Sequence, residues 1–69
     1  MRYTVIIEKG ATSYGAYVPD LPGCVAVAKT RAELDVLIRE AIALHLEGLR
    51  EDGLDIPSPN SEAAEVEVA

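Results

Sequence analysis

Residues 30–53 read TRAELDVLIREAIALHLEGLREDG, and their periodicity decides the fold. Thr30-Arg31-Ala32-Glu33 has the spacing of a capping box, in which the Thr30 hydroxyl accepts from the Glu33 N–H and the Glu33 side chain reaches back. Gly53 stands where a left-handed residue closes a helix. At 100° per residue, Leu34, Leu37, Ile38, Ala41, Ile42, Leu44, His45 and Leu49 fall in one stripe. Glu33, Asp35, Arg39, Glu40, Glu47, Arg50 and Glu51 fall on the opposite arc. A helix of about 22 residues is roughly 33 Å long, so it must lie across a sheet. Val36, Ala43 and Leu46 sit on or beside the charged arc, either as ordinary single exposed apolar residues or as a small contact strip. Gly48 costs about 1 kcal/mol against alanine in a helix interior, which implies close approach of a strand or a second chain. Asp35 and Arg39 are spaced for an ordinary solvated pair.

The segments before this helix are short and β-like. Residues 3–8, YTVIIE, place Tyr3, Val5 and Ile7 on one face of a strand and Thr4, Ile6 and Glu8 on the other. KGATSYG supplies a loop, AYV at 16–18 closes a hairpin, and CVAVA at 24–28 is a third strand. Beyond the helix, Leu54 to Ser61 is a linker kept extended by Pro57 and Pro59. AEVEV at 64–68 alternates strictly, the pattern of a fourth strand with one buried side and glutamates guarding an edge. The expected class is α+β, β-β-β-α-β: an antiparallel, hairpin-led sheet with one long helix packed on one face.

Charge and size narrow the function. The chain has 69 residues, 12 acidic and 6 basic side chains and a net charge of −6. Its basic residues are scattered, so phosphate binding is disfavoured and direct nucleic-acid recognition is not expected. An acidic surface instead speeds encounter with a basic protein. One cysteine and one histidine exclude an intrachain disulfide and a Cys/His zinc set. A domain this small then gains stability from self-association or a partner. The N-terminal apolar run is too short for a signal peptide or a membrane span, and the lone thiol suits a reducing cytoplasm.

The order of these pieces resembles a known family. Tyr17-Val18-Pro19-Asp20-Leu21-Pro22-Gly23-Cys24, then Thr30-Arg31-Ala32-Glu33, the helix segment EAIALHLEGL at 40–49 and the exit EDGLDIPSP at 51–59 are similar to the HicB antitoxins. The resemblance runs over roughly residues 3–68. It implies a truncated ribonuclease-H-like domain without the nuclease's metal site, strand order 3-2-1-4, the fourth strand parallel to the first. It also implies masking of a HicA-like toxin, a small basic ribonuclease that cuts mRNA. The chain is expected to be one HicB-like domain over 1–69 with no C-terminal DNA-binding domain, a homodimer or homotetramer, and not an enzyme. The alternatives are an orphan self-associating scaffold and a residual ribonuclease-H-like hydrolase.

The stretch YVPDLPGCVA at 17–26 is the candidate site. Pro19 and Pro22 fix φ, and Gly23 can take a positive φ, so the loop is rigid before a partner arrives. Tyr17, Pro19, Asp20, Leu21, Pro22 and Gly23 form the expected partner-binding set, offering an aromatic, a charge and an aliphatic. Asp20, Glu65 and Glu67 would meet a toxin's basic groups. Asp20 lacks the converging carboxylates a metal site requires and reads as a turn residue. Cys24 lacks an assembled base and reads as a buried structural thiol, and His45 as a core-edge histidine or a pH-sensitive interface residue. No catalytic, metal or cofactor residue is assigned.

Overall fold

The computed structural model describes residues 1–69. Three antiparallel strands, β1 (Ile6–Lys9), β2 (Tyr14–Tyr17) and β3 (Val25–Ala28), precede one helix, α1 (Arg31–Glu51). The sheet order is β1-β2-β3, with Ile6 opposite Tyr17 and Tyr17 opposite Val25. This is the α+β arrangement that the patterning implies. The strands are shorter than the β-like runs for a physical reason. Past Tyr17 the next rung toward β1 falls on Pro19, which has no N–H to give, so Tyr3 to Val5 lose their ladder partner.

The helix ends as the sequence indicates. Thr30 Oγ1 accepts from Glu33 N at 3.1 Å, the first half of the capping box, without the reciprocal bond. At the other end Gly53 has φ of 68°. Gly53 N donates to Arg50 O and Leu54 N to Leu49 O, a Schellman closure that satisfies two terminal carbonyls.

Burial sharpens the helix stripe. Leu34 and Ile38 are buried with Ala16, Val18, Leu21, Cys24 and Ala28, and Ala41, Ile42 and Leu46 pack against them. Leu46 therefore belongs to the core side and not to a surface strip, whereas Leu37 and Leu44 are exposed. The cause is length. Twenty-one helical residues span about 31 Å while a four-residue strand spans about 13 Å, so much of the helix overhangs the sheet. The helix lies over β3 and β2, and the helix side of β1 stays open.

Three further expectations change. Residues 64–68 form no strand: everything after Ser61 is exposed and unpaired. Alternation supplies two faces, but a strand also needs a neighbouring row of backbone groups, and the chain leaves the body before reaching one. Asp35 pairs with Arg31 at 3.1 Å, not with Arg39; both partners are half exposed, so a few tenths of a kcal/mol is the scale. Gly48 touches nothing, since a Cβ there would meet no atom within 4 Å. Gly48→Ala is therefore expected to stabilise the isolated chain by up to about 1 kcal/mol, read as a raised denaturant midpoint; a loss of stability would show that a second chain packs there. No helix is long and apolar enough to cross a membrane.

Candidate partner-binding surface

The loop between β2 and β3 is two successive turns. Leu21 N donates to Val18 O at 3.0 Å and Cys24 N to Leu21 O at 3.0 Å. Pro19 and Pro22 each take the second position of a turn, where a fixed φ near −65° is preorganised. Gly23, at φ 86°, takes the third position of the second turn, where type II geometry demands positive φ. The Val18 N–H to Cys24 O bond closes the loop.

This geometry divides the six expected partner-binding residues. Tyr17, Pro19, Pro22 and Gly23 are exposed. Leu21 is not offered to a partner: it is 0% exposed, because both turns fold its side chain beneath the loop into the core. Asp20 is half-buried and engaged within its own chain. Its Oδ2 accepts from Asn60 N at 3.1 Å and Ser61 N at 3.0 Å, and its Oδ1 from Ser61 Oγ at 2.8 Å. The Ser61 backbone bond, then its hydroxyl, hold the Asp20 carboxyl below its ordinary value of 3.8, since donors to the ionised form favour it. Thr4 Oγ1 donates to Ser61 O and Tyr3 OH to Pro57 O. Asp20 is thus a clamp on the post-helix linker.

The sheet face away from the helix is open and mostly apolar, with Glu8 at the β1 end of the row that holds Gly15 and Val27. Ile6, Tyr17 and Val25 lie side by side across the three strands, with Val27 on the next row opposite Gly15. Tyr17 is 41% exposed, Val25 61% and Val27 67%. Val25 and Val27 are absent from the loop-centred reading. Their signal is the alternation in CVAVA: Cys24, Ala26 and Ala28 are small enough to sit beneath the helix, which turns the larger valines outward.

Two titratable groups are shifted by their surroundings, Asp20 by its hydrogen bonds and Cys24 by burial. Burial pushes the Cys24 thiol up, holding it neutral, where it is a poor nucleophile. No three His, Cys, Asp or Glu side chains come together as metal ligands.

The fold and this face define a small α+β domain, with a sheet covered by a helix on one side and bare on the other. Comparison with known proteins makes the class specific. The family model described as HicB_like antitoxin of bacterial toxin-antitoxin system matches residues 3–68. A UPF0150 protein of Thermoplasma acidophilum is 43% identical over 63 residues, covering 90% of this chain and 91% of that one. A Helicobacter pylori UPF0150 protein is 41% identical over 70 residues, covering 100% and 97%. An uncharacterized 14.9 kDa protein from the rep-hol intergenic region of Haemophilus phage HP1 is 40% identical over 60 residues; the match covers 87% of this chain but 45% of the phage protein. Among solved structures, a chain of a HicA3 and HicB3 toxin-antitoxin complex superposes with a TM-score of 0.73 at 33% identity, over 87% of this chain and 70% of that chain. The chain belongs to the HicB-like antitoxin family.

Proposed function

We propose that this chain sequesters a HicA-type toxin through the open sheet face centred on Tyr17, as a binding protein without catalysis. The observation that carries the reading is the bare Ile6–Tyr17–Val25 row with Val27 beside it, in a chain whose structural relative was solved as a HicA3 and HicB3 complex. Aromatic side chains at the centre of a preformed surface are the common anchors of interfaces. Pro19, Pro22 and Gly23 frame the row rigidly, so little ordering entropy is lost on binding. A net charge of −6 accelerates association with a basic toxin. The chemistry available suits binding: the thiol is buried and neutral, and both Asp20 oxygens already accept hydrogen bonds.

The test is growth rescue on co-expression with a HicA-type toxin from the same genome, paired with calorimetric titration of the purified proteins. Wild type is expected to rescue. Tyr17→Ala and Val27→Asp should each weaken binding by about thirtyfold or more, about 2 kcal/mol, with circular dichroism unchanged. Undiminished rescue and affinity in both variants would place the toxin elsewhere; no association by wild type would end the antitoxin reading.

A further inference from the structure

The solvent face of α1 carries a pattern that neither the core nor the open sheet face uses. Leu34 and Ile38 turn inward, which leaves two short apolar rows outside. Val36 and Ala43 form one row, Leu37 and Leu44 the other. Val36 is 55% exposed, Leu37 39% and Leu44 68%. Between the rows run Glu33, Glu40 and Glu47, one per two turns and all exposed. At 100° per residue these side chains share an arc of about 120°. No Lys, Arg or His of the helix falls inside that arc. The helix's ion pair, Arg31 with Asp35, lies outside it, so the three glutamates have no basic partner within the chain.

Charge selects the occupant of this face. A second copy would set the same line of glutamates against its own, since a two-fold contact matches each patch with itself, and like charges at close quarters repel. The phosphates of nucleic acid or of a lipid surface are repelled for the same reason. A basic surface without apolar groups would leave both rows in water. A helix answers rows and line together, with apolar side chains recurring each heptad and Lys or Arg between them. Ala43 is small enough to let a second helix approach closely. The 21 residues of α1 offer it a straight rail of about 31 Å.

We infer that the solvent face of α1 docks a basic amphipathic helix of a partner protein. The partner's apolar side chains lie on Val36, Leu37 and Leu44, and its Lys or Arg side chains meet Glu33, Glu40 and Glu47. The proposal does not depend on the toxin reading. The helix covers one side of the sheet and the bare row of Tyr17 and Val25 is on the other, so both faces are free to be occupied at once.

The experiment uses the full, isotope-labelled chain and a synthetic peptide of about three heptads, leucine on one face and lysine beside it. A second peptide has the same residues in scrambled order. On titration, the amides of Val36, Leu37, Glu40, Leu44 and Glu47 should shift and saturate with a dissociation constant on the order of 10 µM. Tyr17, Val25 and Val27 should stay silent. Glu40→Lys/Glu47→Lys should weaken binding by about a hundredfold and Leu44→Ser by about tenfold. These residues are exposed, so circular dichroism should be unchanged. Tyr17→Ala should bind the peptide as wild type does, which separates this surface from the toxin's. A scrambled peptide that binds as tightly, shifts confined to Glu62, Glu65 and Glu67, or variants indifferent to the change would each overturn the proposal. So would Val36 and Leu44 signals that move on dilution of the chain alone, since a second copy would then cover this face.

Discussion

Leu21→Ala is expected to unfold a large share of the protein at ambient temperature. Leu21 is wholly buried among the seven core residues, though it sits in a loop between two prolines. Truncating a buried leucine costs about 2–5 kcal/mol, and a domain of this size holds on the order of 5 kcal/mol in total. The thermal midpoint should fall by more than about 10 °C or the cooperative transition should vanish. A drop of only a degree or two would show that Leu21 turns outward and is free for a partner. Pro22→Ala, at an exposed position of the same turn, serves as the control and should be far milder.

Asp20→Ala is the second change with a large expected effect, and it acts at a distance. It removes the acceptor for Asn60 N, Ser61 N and Ser61 Oγ without touching the core. Hydrogen exchange at the Asn60 and Ser61 amides should rise to that of an unstructured peptide, while α1 and the strands keep their protection. Acid should reproduce the effect. The folded-state carboxyl is lowered from 3.8, so the clamp contributes fully above that value and fades as pH falls through the lowered folded pKa. An NMR titration of the Asp20 carboxyl carbon is expected to give a midpoint below 3.8. A midpoint at or above it, or unchanged exchange in Asp20→Ala, would mean the linker is held by other bonds.

The helix was the most legible part of the sequence because both its ends are written in local chemistry: Thr30 three residues before Glu33, and Gly53 with the positive φ that its position demands. The hairpin and third strand were legible from composition, and the type II turn from Pro22-Gly23. What escaped depends on neighbours that are far apart in sequence. Asp20 and Ser61 are 41 residues apart, so no local pattern distinguishes a clamp from a surface charge. Leu21 looked like a loop residue on offer because its burial comes from helix residues Leu34 and Ile38. Gly48 suggested close approach, yet the helix overhangs the sheet there and nothing approaches. The alternation of Val66 and Val68 is a real strand signal, but a strand exists only where another supplies its ladder.

The family also frames the surface economy of this chain. Its small residues, Ala16, Ala26 and Ala28, face the helix, while larger apolar side chains face outward on the bare side of the sheet. An isolated domain gains nothing from exposing Tyr17, Val25 and Val27 together, whereas a domain that works by covering another protein does.

The most direct measurement of the central claim is an NMR titration of the isotope-labelled chain with a catalytically silenced HicA-type toxin. The signals of Ile6, Tyr17, Val25 and Val27 are expected to shift or broaden first, with Pro19, Pro22 and Gly23 at the margin and Leu34 little changed. Perturbations confined to the solvent face of α1, with the open sheet face silent, would contradict it.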